Sequence, residues 1–497
     1  MIFIPAFLFL LILSISPFFA FKFNSVLKLL SYSVFLTIFI KRKDSFLSFK
    51  NTAYFVFFAF FIHAIFSLLG HLDSFFLGDF DYTAISEIIN NISKGKFFIT
   101  SHYGKLADSN YLSHHFTPLL CLFIPFSFLS SIHLGYAYGL IFYMMLSILL
   151  IYKILSMLEI PENFKIYSLF ILACNPFFYR LNFSYHFELF FLTLILLSYY
   201  FHIQKKYFWE STILLLSLLL KEDLAIYISI YLLFMFSFEK RKFYIVLVLI
   251  SIFYYFIVRY KIQPLFGDSA REDWFESWRY LSPNPVQFLF QNPNIIFEKI
   301  FSKSEVILSF LLVFLLGFFY SKRVLFFILP ILLVHFFSER IWYNSFNNYY
   351  CYTILPILSV SFLIGIQRMR KSIFSETILI LNLGFVFFLF TLDQSIPNMK
   401  LEPKPIRQTK LLQALKLIEE HKSISASYDL GAFLSRENFL YPIKFTNLDK
   451  DYILLDLNSL SPFVNLTEIL QSMHQKERDL EYMRIYTSES LFLWVKI

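Results

Sequence analysis

Long apolar runs separated by short polar connections occupy most of this chain. A helix needs about 20 predominantly apolar residues to cross the hydrocarbon core of a bilayer. Runs that approach this length lie at 1–21, 25–40, 53–70, 116–132, 135–155, 166–182, 187–203, 208–220, 224–238, 243–258, 306–320, 323–338, 351–366 and 373–392. The pattern therefore predicts an all-α polytopic membrane bundle over residues 1–392.

The connections between these runs indicate a topology. Basic clusters occur at 41–43, 205–206, 240–242, 322–323 and 368–371. Such clusters mark cytoplasmic loops. All five clusters can lie in the cytoplasm only if 116–152 crosses the membrane an odd number of times, although it contains two apolar runs. We therefore expect 116–132, which contains Pro118 and Pro125, to be re-entrant or interfacial. About 13 transmembrane helices remain. The outer side then receives the loops 71–115, 259–305 and 338–350.

The long apolar runs end at Leu392, and the chain beyond it is less hydrophobic. Three prolines mark 393–408 as a linker. Beyond it, 409–421 and 465–475 have helical spacing, whereas 423–428 and 451–457 have the composition of strands. We expect a small α/β soluble domain over 409–497, on the extracytoplasmic side.

Composition narrows the class of protein. Hydrophobic residues make up 58% of the 497 residues and charged residues 16%, so lipid is the expected partner of most of the surface. The net charge of +8 is concentrated in the clusters between apolar runs. This distribution of positive charge indicates which loops are cytoplasmic. It differs from the basic surface of a nucleic-acid-binding protein, so we expect no nucleic acid partner.

The first outer loop holds the strongest catalytic candidates. Asp79 and Asp81 follow a membrane run directly, and an amphipathic stretch, Tyr82 to Ser93, suited to the membrane interface comes next. Two carboxylates at the mouth of a bundle could remove a proton from an attacking hydroxyl or bind a divalent cation. The sequence leaves the cofactor unknown, and two loop aspartates are often simply solvated.

Other ionisable residues stand within or beside apolar runs, namely His115, His186, Glu188, Lys221, Glu222 and Arg259. Charged groups at membrane depth are costly and usually face a cavity or a partner. Lys221 with Glu222 or Asp223 could be a neutralised structural pair or could hold a phosphate, and both interpretations stay open. Arg259 could fork onto a lipid phosphate or belong to the interfacial belt of arginine and aromatic residues.

A series of short motifs resembles a bacterial family of multi-pass membrane proteins, domain of unknown function 2079. The motifs are LGDFD at 77–81, HFTP at 115–118, YHFE at 185–188, KEDLA at 221–225, WRYLSP at 278–283 and YYCYTILP at 349–356, followed by the tail segments at 426–442 and 451–456. The resemblance covers most of the chain. It implies a protein of the bacterial inner membrane with its C-terminal domain outside.

The family is similar in layout to glycosyltransferases of the GT-C type, which use polyprenyl-phosphate sugars. That resemblance implies catalysis by the acidic first outer loop, with Asp81 or Asp79 as the base. It implies donor binding by His115, His186, Lys221 and Arg259, oriented by Glu188 and Glu222. Two positions depart from the family pattern: Phe76 stands where the family has Asp, and Tyr349 where it tends to have His.

Three functions are therefore open. The first is sugar transfer from a polyprenyl-phosphate donor at the outer face of the membrane. The second is a transporter or flippase in which His186, Glu188, Lys221 and Glu222 line a pathway, although no two matching halves are visible in the sequence. The third is a non-catalytic cell-envelope assembly protein.

Overall fold

The computed structural model describes residues 48–74, 80–102, 109–267, 278–346, 348–369, 373–392, 405–459 and 464–497. The predicted spans 1–21 and 25–40, the 41–43 cluster and Asp79 lie outside these described residues. The described chain forms two compact units. The helical unit takes its residues from 48–66, 140–260 and 278–392, and the mixed unit takes its residues from 67–139, 261–267 and 405–497.

Most described residues are helical. In chain order the helices are α1 (Phe49–Ser74), α2 (Phe80–Ser93), α3 (Ile124–Ser127), α4 (Gly135–Met157), α5 (Glu162–Ala173), α6 (Pro176–Asn182), α7 (Leu189–Ile203), α8 (Tyr207–Ser217), α9 (Leu224–Glu239), α10 (Lys242–Ile257), α11 (Pro285–Gln291), α12 (Pro293–Ser302), α13 (Ser304–Val313), α14 (Leu315–Tyr320), α15 (Arg323–Phe336), α16 (Ile341–Asn344), α17 (Leu355–Arg368), α18 (Ile373–Leu392), α19 (Pro405–Leu415) and α20 (Leu466–Arg478).

Three helical stretches among the described residues are long and apolar enough to cross a bilayer: Phe49–Leu69, Gly135–Met157 and Lys242–Phe266. Other apolar helices in the same part of the chain have only 10–17 residues. The mainly helical membrane architecture is confirmed. The count of about 13 crossings stays a prediction, because many of the apolar runs form short or broken helices.

The predicted run 166–182 shows why helices are shorter than apolar runs. It divides into α5 and α6 because Asn175 and Pro176 form a helix start within it. The Asn175 side chain accepts a hydrogen bond from the backbone N–H of Phe178, 2.8 Å away. Proline suits the first position of the new helix, where its missing N–H costs nothing.

The basic connections gather at one end of the helical unit. Those that the structure describes are at Lys205 and Lys206, Lys240 to Lys242, Lys322 and Arg323, and Arg368. The guanidinium groups of Arg323 and Arg368 both lie over the Phe238 ring, at 5.2 and 4.4 Å. The Tyr244 hydroxyl is 3.0 Å from His202 Nδ1, which joins the two lysine-rich turns. This grouping agrees with the expectation that the clusters share a side.

The mixed unit contains the C-terminal sheet. Its strands are β3 (Ser423–Ala426), β4 (Phe439–Pro442), β5 (Tyr452–Asp456), β6 (Tyr482–Ser488) and β7 (Leu491–Lys496), and a short hairpin of β1 (Ile99–Thr100) and β2 (Ser109–Asn110) precedes them. The order is β4-β3-β5-β7-β6, parallel from β4 to β5 and antiparallel beyond. Helix α20 covers the sheet through Ile469 and Met473, which pack with the buried Trp494.

The small C-terminal sheet domain is confirmed, and its four predicted elements are found with shifted ends. Helix α19 begins at Pro405, earlier than the predicted 409, because proline is favoured in a first turn. Strands β4, β6 and β7 were not predicted. The domain boundary at 392 stays a prediction, although the mixed unit also includes part of the first loop.

Helix α2 corrects one expectation. We expected Tyr82 to Ser93 to lie in the membrane interface, but both faces of this helix are largely buried within the mixed unit. The Thr83 hydroxyl donates to the Tyr428 carbonyl at 3.1 Å, and Asn90 Nδ2 donates to the Arg436 carbonyl at 2.6 Å. Amphipathic periodicity does not distinguish a lipid surface from a protein surface, which is why the partner was misjudged.

The segment 116–132 lies in the mixed unit as well. Its helical pieces, Pro118–Phe123 and Ile124–Ser127, are too short to cross a bilayer. The Tyr82 hydroxyl donates to the His133 carbonyl at 2.8 Å, and Gln263 Nε2 donates to the Leu112 carbonyl at 3.3 Å. Both ends of 116–132 thus return to one unit. That the segment is re-entrant or interfacial stays a prediction.

Because the first loop and the tail pack together, both must lie on one side of the membrane. In a variant without Cys121, single cysteines at Lys96 and Glu489 are expected to react alike with a membrane-impermeant maleimide applied to intact cells. A cysteine at Lys240 is expected to react only after permeabilisation. Opposite labelling of Lys96→Cys and Glu489→Cys would contradict the packing of α2 on the tail.

Candidate functional site

Two breaks between helices carry several buried charges of the helical unit. Glu188 precedes α7 and Asp223 precedes α9, each at the N-cap position, and Lys221 stands in the turn that leads to Asp223. Carboxylates near helix N-termini are stabilised by the helix dipole. Non-helical backbone at membrane depth persists only when protein buries it or when it lines a cavity. The two breaks are therefore the natural place for a polar site.

The breaks meet in an ion pair. Lys221 Nζ lies 2.9 Å from Glu188 Oε1 and 4.0 Å from Asp223 Oδ2. His186 Nδ1 lies 3.8 Å from Glu188 Oε2. We call these four residues the ionic cluster. Glu222 is also buried, so a single ammonium group faces up to three carboxylates.

Tyrosines surround the ionic cluster. The 3-10 helix Asn348–Thr353 supplies Tyr349, whose ring stacks on His186 with 3.7 Å between centroids. It also supplies Tyr352, whose hydroxyl donates to Asp223 Oδ2 at 2.9 Å. The Lys221 ammonium lies 5.5 Å from the centre of the Tyr352 ring. Aromatic faces and carboxylates thus line the same region of the helical unit.

One acceptor of the ionic cluster is unused. Glu188 is 2% exposed, and its Oε2 atom has no hydrogen-bond partner among the described residues. A buried carboxylate oxygen left without a donor is expensive. Lys221 is already engaged by Glu188 and is close to Asp223. The cluster therefore offers an acceptor for a ligand's hydroxyl or ammonium group more readily than a free cation for a phosphate.

Arg259 extends the polar region. It lies in the π-helical turn Val258–Ile262 that follows α10. Tyr255, one turn earlier, interacts electrostatically with Arg259 and also with Asp223 and Glu222. Arg259 thus belongs to the helical unit, directly after α10.

The predicted site residues divide between the two units. His186, Glu188 and Lys221 are brought into contact in the helical unit, which also contains Glu222 and Arg259. Asp81 and His115 belong to the mixed unit.

In the mixed unit, Asp81 occupies the first turn of α2 and is half-buried. The His115 ring packs on Tyr111 and His114. His115 is thus part of an aromatic group at the foot of the first loop, and neither residue belongs to the ionic cluster's unit.

Two polar residues of the helical unit were missed in the sequence. Tyr352 lies inside the YYCYTILP motif, but tyrosines are so frequent in this chain that it had no distinguishing signal. Arg180 interrupts an apolar run at the end of α6, and a cation at such depth is a signal of function. Its guanidinium Nη1 lies 3.5 Å from the Phe346 carbonyl oxygen, over the Phe177 ring.

A second buried carboxylate lies in the mixed unit. Glu87 on α2 accepts hydrogen bonds from the Thr100 hydroxyl at 2.8 Å and from the Ser101 backbone N–H at 3.2 Å, and lies 2.9 Å from His102 Nδ1. Each of its partners belongs to 99–102, so this carboxylate holds the β1 segment against α2. Burial lowers the pKa of the neighbouring His133 to about 4, so that imidazole is neutral at pH 7.

Metal binding was left open by the sequence. Within the described ranges, no group of three or more His, Cys, Asp or Glu side chains is arranged to hold a metal ion. Asp79, one half of the aspartate pair, is not among those residues.

A family model described as a predicted membrane protein, DUF2079, matches residues 71–492. The chain belongs to the DUF2079 family. The match includes both helix breaks of the ionic cluster, α2 and nearly all of the C-terminal sheet. No curated protein matches this DUF2079 member significantly.

Proposed function

We propose that this DUF2079 protein is a membrane glycosyltransferase that moves a sugar from a polyprenyl-phosphate donor at the outer face of the inner membrane. The observation that carries the proposal is the buried Glu188 carboxylate, with one oxygen free for a ligand and tyrosine rings around it. This combination of groups suits polyhydroxylated ligands, because carboxylates accept hydroxyl hydrogen bonds and aromatic rings cover apolar ring faces.

The position of the ionic cluster supports an outward-facing site. Lys221 lies between the C-terminal end of α8 and the N-terminal end of α9, whereas the lysine-rich turns lie at the opposite ends of these helices. Helix α9 has 16 residues, so about 24 Å separates its two ends. With the basic turns in the cytoplasm, the cluster lies toward the outer leaflet.

In the proposed reaction the acceptor hydroxyl oxygen attacks the anomeric carbon of the donor sugar. The bond between that carbon and the phosphate oxygen breaks, and polyprenyl phosphate leaves as an anion. The hydroxyl proton passes to a carboxylate, Asp81 or Asp79. In the helical unit, His186 and Arg259 bind the donor, Lys221 fixes Glu188, and Glu222 adds to the acceptor groups around the sugar. The roles of Asp81 and His115 are those that the family resemblance implies.

The test is transfer of labelled sugar from polyprenyl phosphates by purified protein in liposomes. Asp81→Asn and Asp79→Asn, singly and together, are expected to lower kcat by about 10²–10⁴-fold where the base is removed. Glu188→Gln is expected to raise KM about tenfold, because a charged hydrogen bond to the sugar becomes neutral. Glu239→Gln, near the basic turns, is the matched control. Full activity in the double aspartate variant would refute the mechanism.

A transporter is the second candidate, because ionisable residues at breaks between membrane helices are also typical of substrate pathways. Under that hypothesis Lys221→Ala abolishes proton-coupled uptake of a polar solute, and no sugar transfer is detected in the wild-type protein. The same liposome preparations distinguish the two functions.

A further inference from the structure

We propose that the cavity between α13, α14 and α15 is the binding site for the isoprenoid tail of the lipid-phosphate donor. The inference rests on the proposed function and adds to it the place where the donor's hydrocarbon chain is held. The cavity has a volume of about 280 Å³. It belongs entirely to the helical unit.

The lining of this cavity is apolar throughout. Its walls are Ile300, Ile307, Phe310, Leu311, Phe318, Leu325, Ile328, Leu329, Leu332 and Phe336. Protein interiors are close-packed, and an unfilled void of this size forfeits packing energy along all its walls. An apolar space stays dry and takes hydrocarbon, not water. The chemistry of the walls therefore selects a hydrocarbon chain.

The cavity is elongated and partly open at the side. Leu325 and Phe336 both line it and are eleven residues apart on α15, which corresponds to about 16 Å along the helix. Phe310 and Phe336 are 2% and 1% exposed, whereas Leu325 and Leu329 are 46% and 43% exposed. A chain could thus enter from the membrane past Leu329 and lie along α15.

Cations mark the end of the cavity that contains Phe336. The Phe346 ring packs on Phe310 and Phe336, with 5.1 and 6.2 Å between centroids. The Arg180 guanidinium reaches the Phe346 carbonyl. Lys303 Nζ lies 3.0 Å from Asn344 Oδ1, two residues before Phe346. Two positive groups therefore flank this end, as an anionic phosphate at the head of the chain requires.

The same end leads toward the ionic cluster. Phe346 stacks on His335, and His335 stacks on Tyr343, with centroid distances of 4.2 and 3.9 Å. The Tyr343 hydroxyl lies 3.4 Å from that of Tyr227, whose ring meets Tyr352 edge to face. A continuous series of side-chain contacts thus joins this end of the cavity to the ionic cluster, where the proposed sugar site lies.

Native mass spectrometry of the full-length protein in detergent tests the tail site. The probes are a polyprenyl phosphate, the matching polyprenol and phosphatidylglycerol. Leu329→Trp, which fills the side opening, is expected to weaken binding of the first two about tenfold or more, which is about 1.4 kcal/mol. Phe326→Trp is the matched control, since Phe326 is 75% exposed on the same helix and does not line the cavity.

Lys303→Gln distinguishes the contribution of the lipid's phosphate to binding from that of its hydrocarbon tail. It is expected to weaken polyprenyl phosphate about fivefold to tenfold while leaving polyprenol unchanged, because only the phosphate uses the ammonium group. Unchanged binding of polyprenyl phosphate and polyprenol in a folded Leu329→Trp protein would overturn the tail site. So would phosphatidylglycerol binding that equals polyprenyl phosphate binding and shows the same loss in Leu329→Trp.

The lipid-binding experiment and the sugar-transfer assay test the tail site and the proposed function separately. If Leu329→Trp retains the lipid while Glu188→Gln loses transfer, the tail site is wrong and the proposed function stands. If lipid binding responds as expected but the wild-type protein transfers no sugar from any donor, the tail site stands and the glycosyltransferase proposal falls.

Discussion

Lys221→Met is expected to destabilise the helical unit by about 3–5 kcal/mol, because it leaves the buried Glu188 carboxylate and the partly buried Asp223 carboxylate without their lysine. The lysine is 8% exposed and Glu188 is 2% exposed, so water replaces little of the lost pairing. The thermal midpoint in detergent should fall clearly below that of the wild-type protein. Lys153→Met, at an exposed position of α4, should change it little.

A second substitution distinguishes charge from packing. Glu188→Gln in the Lys221→Met background removes one uncompensated charge and should recover part of the loss. The two changes should be strongly non-additive, since the residues are in contact. If Lys221→Met melts like Lys153→Met, or if Glu188→Gln brings no recovery, the ionic cluster does not stabilise the fold as described.

Glu87→Ala is expected to loosen the mixed unit by about 3 kcal/mol, because the Thr100 hydroxyl, the Ser101 backbone N–H and His102 Nδ1 lose a buried acceptor. The segment also joins the tail, since the Ser101 hydroxyl donates to the Leu440 carbonyl and Lys444 Nζ donates to the His102 carbonyl. Amide hydrogen exchange should therefore accelerate in β1 and in the distant strand β4.

Glu419→Ala provides the control for this measurement. Its side chain is 69% exposed and pairs only with Lys422 among the described residues, and exposed pairs of this kind contribute little. Exchange in β4 should be unchanged in that variant. Fast exchange confined to β1 in Glu87→Ala would show that the first loop does not hold the tail.

Apolar runs and basic clusters predicted much of the membrane part correctly. The grouping of the described clusters at one end follows from a rule that depends only on charge. Helix lengths were harder to predict. The breaks before α6, α7 and α9 arise from short polar segments inside apolar runs, and a hydropathy window averages over them.

The charged residues in those breaks were found because ionisable groups are costly in lipid, whatever their neighbours. Their partners could not be found in this way. Lys221 was expected beside Glu222 or Asp223, yet its shortest contact is with Glu188, 33 residues earlier. Tyr352 reaches Asp223, and Arg180 reaches the Phe346 carbonyl, only because of tertiary packing.

The sequence by itself determined that the protein is embedded in a membrane, which connections carry the positive charge, and that a sheet domain follows the helices, because hydrophobicity, charge and periodicity are local properties. Only the tertiary structure decided that α2 is buried against the tail, that Glu188 receives Lys221, and that an apolar cavity runs beside α15. Those features depend on contacts between residues that are distant along the chain, and no local pattern encodes such contacts.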